Sequence, residues 1–396
     1  MIERASYSEP QQSPPLPSER GVTAPAAKLT FADVSRGRDN NCDFVRFMLA
    51  ALVVLAHAFL ALDRGTVVQY DLLNGVSRHQ TQLGHLAVHG FFTISGALIL
   101  ASWERSPGLY DFIRNRVLRI YPGFIACYLL CLFVVAPLSG LSWEAYLAQL
   151  NLPLAAIKML LLRGFGGFET FPTNPHHMLN GSLWTIPYEF GCYLLIAGFA
   201  IFGRYRRQAI PVGAAVAYVL YMFRGLAEGH TFEGVPQPLR AVLLALAHLQ
   251  GPPEVCLFLF GAVFHQQKHR IPFSGKLALL ALGLTAIAFR VPPTLQFVLP
   301  FTLPYLVFFA VYHPQWKLHG FGKHADLSYG IYLWGWPVEQ MLTRFFEPQL
   351  NGVTLFLLAL PLAAILALAS WKLVEAPFLR LKRRRSPAAV TVSAAT

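Results

Sequence analysis

The chain has few charged residues and few cysteines. Charged side chains make up 13% of its 396 residues, about half the share usual in soluble domains. The five cysteines are scattered, without the paired spacing of metal ligands or of a small disulfide framework. The scarcity of charge excludes an ordinary soluble domain, and we assign the cysteines no chemistry.

Both ends of the chain differ in composition from the middle. Residues 1–38 are rich in Pro, Ser and Ala and contain no apolar stretch of the signal-peptide type. They predict a disordered cytoplasmic tail, and deletion of residues 1 to about 35 is expected to leave insertion and activity nearly intact. Residues 382–396 begin with a basic cluster and predict a second disordered cytoplasmic tail. Residues 39–381 are predicted to form one membrane domain.

Long apolar runs fill the middle of the chain. Hydrophobic residues make up 55% of the sequence, and the mean hydropathy is +0.46. Runs of near-spanning length predict an all-α, polytopic integral membrane protein with about ten transmembrane helices. These runs lie near residues 44–62, 84–102, 117–138, 182–202, 208–223, 253–266, 273–290, 294–313, 327–346 and 353–376.

The basic residues favour one orientation of these ten spans. The formal net charge is +12, but the Lys and Arg residues form short clusters between apolar runs rather than one basic face for nucleic acid. With both termini on one side, 22 of the 32 Lys and Arg residues lie on that side and eight on the other. Because Lys and Arg favour cytoplasmic loops, both termini are predicted to be cytoplasmic. We expect the protein to contact membrane lipids and not to bind nucleic acid.

Two ionisable side chains in the first span are candidates for function. Arg46 and His57 are eleven residues apart, about three helical turns, which places them on nearly the same helix face. Imidazole is suited to general base catalysis near neutral pH. The alternative is that Arg46 reaches the lipid headgroups and His57 bonds a neighbouring helix. Spacing alone leaves both interpretations open.

Two further groups of charged residues stand at the ends of predicted spans. Glu189 lies in the fourth span and either orients or protonates His57, binds an acceptor hydroxyl, or bonds another helix. Arg114, Arg116 and Arg119 precede the third span, and guanidinium groups bind phosphates such as those of coenzyme A. Orientation in the membrane and contact with lipid headgroups explain the same three arginines. No histidine or cysteine spacing predicts a metal site.

Six segments in order resemble the membrane-bound acyltransferase family 3, over about residues 41–381. The segments are CDFVRFMLAALVVLAHAF, HGFFTISGALI, FIRNRVLRIYP, GSLWTIPYEF, LSYGIYLWGWP and SWKLVEAPF. By this resemblance His57 matches the family's essential histidine, Arg46 its paired arginine, and Glu189 the glutamate of a further motif. Gly335 departs from the pattern, because many members carry His there, and this increases the weight on His57.

The resemblance implies an enzyme of the bacterial inner membrane. The expected reaction is O-acyl transfer. The expected donor is an acyl-CoA such as acetyl-CoA, and the expected acceptor is a hydroxyl of a cell-surface polysaccharide, lipid-linked glycan or similar sugar. The expected catalytic residues are His57, Arg46 and Glu189, and the expected donor-binding residues are Arg114, Arg116 and Arg119. No metal is expected. A transporter or flippase for a lipid-linked sugar is the main alternative, and a scaffold for glycan assembly is a weaker one.

Overall fold

The computed structural model describes residues 29–35, 40–63, 72–227, 231–249, 251–322 and 325–382. Within these residues the chain is helical apart from its loops and two isolated bridges, which join Thr30 to Pro272 and Glu169 to Met178. The prediction of an all-α membrane protein is confirmed at this level.

Sixteen α-helices follow one another in the described residues. The first eight are α1 Phe31–Val34, α2 Cys42–Ala61, α3 Leu72–Val76, α4 Leu83–Arg105, α5 Leu109–Leu130, α6 Trp143–Gln149, α7 Leu152–Leu160 and α8 Ile186–Phe199. The others are α9 Arg206–Ala227, α10 Gln237–Ala247, α11 Pro252–Gln267, α12 Gly275–Arg290, α13 Leu295–Val311, α14 Leu327–Phe346, α15 Gly352–Ser370 and α16 Ala376–Arg380. A 3₁₀ turn, Gly181–Thr185, leads into α8.

Each of the ten predicted spans coincides with a described helix, but fewer helices are long and apolar enough to cross a membrane. Five meet both conditions, and the bent pair of α10 and α11 makes a sixth if it is one broken span. The five segments are Cys42–Ala61, Leu83–Arg105, Leu109–Val135, Arg206–Ala227 and Gly352–Arg380. The count of ten and the side of the termini stay predictions.

The arginine segment lies inside a helix rather than before one. The sequence predicts Arg114, Arg116 and Arg119 at the boundary of a span that begins near residue 117, whereas α5 begins at Leu109 and contains all three. Arg116 and Arg119 line a cavity, which accounts for charged side chains inside this helix. Hydropathy does not distinguish a cavity-facing arginine from one in a loop.

Helices α4 and α11 make the most extensive helix pair in the described residues. Two glycines allow their backbones to touch. A Cβ atom on Gly96 would lie 1.8 Å from the backbone oxygen of Phe258, and one on Gly261 would lie 2.0 Å from that of Thr93. Small residues permit this close approach between membrane helices. The contact fixes the position of α11 relative to α4.

Helix α14 is buried on all sides. It packs against α15 and α2, and its buried residues cover the whole circumference over most of its length. A helix of this kind belongs to the centre of a protein. It brings Tyr332, Trp336 and Glu339 to the region beside His57.

The short helix α1 lies within the predicted tail but is packed against the helical domain. Phe31 is fully buried, and its ring centroid lies 4.8 Å from that of Phe264, 5.2 Å from Phe273 and 5.3 Å from Tyr305. The backbone N–H of Phe31 donates to the carbonyl oxygen of Ile271. The predicted tail of residues 1–38 therefore includes a packed segment at 29–35. Residues 1–28 and 36–39 lie outside the described residues.

Candidate active site

Two neighbouring cavities share part of their lining. We name the first, of about 270 Å³, the arginine cavity because Arg46, Arg116 and Arg119 line it. We name the second, of about 790 Å³, the histidine cavity because His57 and three other histidines line it. Val88 and Tyr332 line both cavities. These two side chains therefore mark the junction between the cavities.

A shared carboxylate joins three helices in the arginine cavity. Nη1 of Arg46 donates to Oδ2 of Asp326 at 2.6 Å, and Arg119 donates to the same oxygen. Asp326 is the N-cap residue of α14, and its other carboxylate oxygen accepts from the backbone N–H and the hydroxyl of Ser328. Helices α2, α5 and α14 are thus tied together at one point.

The charge of Asp326 is maintained by its partners. Burial raises the pKa of the Asp326 carboxyl, but Arg46 and Arg119 lower it by more, so the net pKa lies well below the ordinary value. The carboxylate therefore stays ionised at physiological pH. It neutralises only part of the positive charge, because the cavity is lined by four basic side chains, including Lys382, and by two acidic ones.

The three arginines predicted to bind the donor have different environments. Arg119 is held by Asp326, whereas Arg116 donates through Nη2 to the hydroxyl of Ser102 at 2.9 Å and its Nε has no hydrogen-bond partner in the described residues. Arg114 is not among the residues lining either cavity, and it donates to the carbonyl oxygen of Leu381 at 2.6 Å. The structure therefore brings Arg116 and Arg119 together at the cavity and leaves Arg114 outside it.

Glu189 and His57 line different cavities. Glu189 lines the arginine cavity and accepts a hydrogen bond from the hydroxyl of Tyr193. The carboxylate beside His57 is Glu339, whose Oε2 lies 3.9 Å from Nδ1 of His57. Glu339 is fully buried, and neither of its oxygens has a hydrogen-bond partner in the described residues.

Aromatic side chains surround His57 and the junction. The ring of Trp336 meets the His57 ring edge to face, with centroids 5.1 Å apart. Tyr332 forms a hydrogen bond of 2.6 Å between its hydroxyl and that of Thr185. The described residues contain no group of three or more His, Cys, Asp or Glu side chains placed to hold a metal ion.

Sequence reasoning did not identify Glu339, Asp326 or Lys382. A signal existed for Glu339, because a carboxylate inside an apolar span is by default a functional candidate. Asp326 is the N-cap of α14, a common structural position that does not by itself indicate a site. Lys382 was included in the predicted tail 382–396, yet it lines the arginine cavity. Residues 383–396 lie outside the described residues.

Comparisons of the sequence with known proteins show the family to which this helical domain belongs. The chain belongs to the acyltransferase family 3, because the model of that family's acyltransferase domain matches residues 39–372. It is therefore a membrane protein and an enzyme that transfers acyl groups. The predicted family and enzyme class are confirmed.

The chain is similar to two curated relatives over nearly the full length of each. The chain is 25% identical over 348 residues to an O-acetyl transferase of Shigella phage Sf6, which covers 86% of this chain and 96% of that protein. It is 26% identical over 370 residues to Nodulation protein 10 of Rhizobium leguminosarum bv. viciae, covering 88% of this chain and 95% of that protein. No solved structure matches the chain.

Proposed function

We propose that this protein is an O-acyltransferase that moves an acetyl or similar acyl group from acyl-CoA in the arginine cavity to a sugar hydroxyl in the histidine cavity. The observation that carries the proposal is the pair of cavities meeting at Val88 and Tyr332. One is rich in cations, and the other contains His57 beside a buried carboxylate. A donor and an acceptor can thus approach the junction from opposite sides.

The arginine cavity suits the donor. Coenzyme A carries several phosphate groups, and guanidinium groups bind phosphates with directed hydrogen bonds. At about 270 Å³, the cavity is smaller than most pockets for drug-sized ligands. The narrow pantetheine arm therefore enters it, while the nucleotide remains at its mouth near Lys382 and Arg116.

The chemistry requires one proton carrier and no further cofactor. The thioester C–S bond breaks and an ester C–O bond forms. His57 accepts the proton of the acceptor hydroxyl and delivers it to the departing sulfur. In a second order of events a ring nitrogen of His57 attacks the thioester, the C–S bond breaks, and the thiol of coenzyme A leaves with the ring proton. The acyl–nitrogen bond then breaks as the hydroxyl oxygen forms the ester, and the proton of the hydroxyl returns to the ring. In either order Glu339 stabilises the positive charge on the imidazole ring.

The direction of transfer follows from the predicted topology. The basic loops assign the side of Arg46 and Arg119 to the cytoplasm, where acyl-CoA is available. The histidine cavity then faces the outside of a bacterial inner membrane, where cell-surface polysaccharides and lipid-linked glycans are accessible. The name of the phage relative, O-acetyl transferase, supports acetyl as the group and oxygen as its acceptor atom.

The test compares cells that make the wild-type protein, the His57→Ala variant or neither. Mass analysis of surface glycans should reveal an acyl group that only the wild type adds, and membranes should consume acetyl-CoA in step with it. His57→Ala should insert normally, since its helix keeps its apolar length. Loss of glycan export without any change in acylation would favour the transporter alternative, and full acylation by His57→Ala would refute the role of His57.

A further inference from the structure

A second histidine–glutamate pair lines the histidine cavity, apart from His57. It consists of His89 in α4 and Glu254 in the first turn of α11, with Nε2 of His89 3.9 Å from Oε1 of Glu254. Their exposed fractions are only 6% and 4%. Nδ1 of His89 and Oε2 of Glu254 have no hydrogen-bond partner in the described part of the chain. The reaction at His57 uses neither residue.

A third buried side chain lining the histidine cavity also has a polar atom without a hydrogen-bond partner in the described residues. Gln296 in α13 is 9% exposed, and its Nε2 has no hydrogen-bond partner among the described residues. Burying polar atoms without hydrogen-bond partners destabilises the folded protein, so such atoms require an explanation. Together the three side chains offer a carboxylate acceptor, an amide donor and an imidazole that does either.

The helix contact described above holds this cluster rigidly. Thr93 lies one turn after His89, and Phe258 lies one turn after Glu254. Their backbone oxygens are the atoms that meet Gly261 and Gly96. The close approach of α4 to α11 therefore determines the distance between His89 and Glu254. Rigid placement of polar groups is what selective binding of a small ligand requires.

The rest of the cavity has the character of a site for a sugar. Trp184 and Trp336 line it as well, and aromatic rings pack against the apolar faces of sugar rings while polar side chains bind their hydroxyls. The other charged lining residues are Arg78 and Arg224, so the cavity is not strongly charged. A carboxylate in the cluster also disfavours an anionic group at this position.

We propose that His89, Glu254 and Gln296 form an acceptor subsite that binds hydroxyls of a neutral sugar unit beside the hydroxyl acylated at His57. The subsite deepens the proposed function and rests on it. It selects the acceptor through hydroxyls that do not react, because a site built to bond a hydroxyl rejects an analogue that lacks it.

The test uses the full-length protein in lipid nanodiscs. Its probes are the methyl glycosides of glucose, galactose, mannose and rhamnose, with the monodeoxy analogues of each. Binding is measured by tryptophan fluorescence and by saturation-transfer NMR. We expect at least one glycoside to bind and one of its monodeoxy analogues to bind about tenfold more weakly or worse. Glu254→Gln should remove most of that difference.

Two variants serve as comparisons. Glu104→Gln makes the same chemical change at a surface ion pair with His265 and should leave glycoside binding unchanged. Gln296→Met removes the amide at similar volume and should weaken the same glycoside, so the proposal remains testable even if Glu254→Gln does not fold. Wild-type protein that binds no glycoside, or variants that bind and discriminate like the wild type, would overturn the subsite.

Acetyl transfer from acetyl-CoA in the same nanodiscs separates the two proposals. If glycosides bind and Glu254→Gln weakens them but no acetyl is transferred, the subsite stands and the proposed reaction fails. If acetyl reaches a glycoside with the same acceptor KM in the wild type, Glu254→Gln and Gln296→Met, the reaction stands and the subsite fails.

Discussion

Nδ1 of His57 lies 3.9 Å from Oε2 of Glu339, a fully buried carboxylate whose oxygens have no hydrogen-bond partner in the described residues. The distance is about 1 Å longer than a hydrogen bond, so a small movement of the ring joins the two groups. A buried carboxylate without partners is costly to the folded state. Its position beside His57 is the reason for the catalytic role proposed for it.

Glu339→Gln should lower kcat by about a hundredfold or more, since an amide does not stabilise the charged imidazole. The KM values of donor and acceptor should change little. Because the substitution removes a buried acidic group that has no hydrogen-bond partner in the described residues, we expect an equal or higher Tm. Kinetics and thermal unfolding of the purified variant measure both effects. A normal kcat would show that Glu339 has no role in turnover, and a large loss of stability would assign it a structural one.

Arg116→Gln should raise the KM for acyl-CoA about tenfold or more, because charge-assisted hydrogen bonds to phosphate are worth roughly 1.5–3 kcal/mol. Arg114→Gln is the matched control, since Arg114 lines neither cavity. It should leave that KM unchanged. Equal effects of the two substitutions on folded protein would assign the arginines to general attraction of anions rather than to a donor site.

The sequence was sufficient for the helical class and the family, but not for the partners of its charged residues. Periodicity placed Arg46 and His57 on one helix, which is a local property. They line different cavities, because α14 and α4 place Tyr332 and Val88 at the junction between the arginine cavity and the histidine cavity. Likewise Asp326 is 280 residues from Arg46 in sequence, and no local pattern predicts that pairing.

Donor binding should depend on pH through Lys382. Burial, followed by the neighbouring charges of Arg116 and Arg119, lowers the pKa of its amine from the ordinary value to about 8. The amine of the free protein is therefore charged below pH 8 and loses its proton above it. We expect the KM for acyl-CoA to rise as pH increases from about 7 to about 9.5. Lys382→Arg keeps its charge and should flatten this profile, whereas an identical profile would exclude Lys382 as its source.

Two deletions test whether the packed segment at 29–35 stabilises the protein. Phe31→Ala removes a fully buried ring and should destabilise the protein by up to about 3–5 kcal/mol. Deletion of residues 1–28 should leave Tm and activity unchanged, while deletion of residues 1–35 should lower the Tm as Phe31→Ala does. Thermal unfolding in detergent compares the three proteins. Equal Tm values for both deletions would show that the Phe31 contact contributes nothing to stability.

In the proposed reaction an acyl group passes between two cavities on opposite sides of the membrane by way of His57. Proteoliposomes test it with labelled acetyl-CoA enclosed inside and, outside only, the glycan whose acylation in cells depends on this protein. We expect the glycan to become labelled with the wild type, and no labelling with His57→Ala or when both substrates are outside only. Labelling that requires both substrates on the same side, or that persists in His57→Ala, would contradict the account.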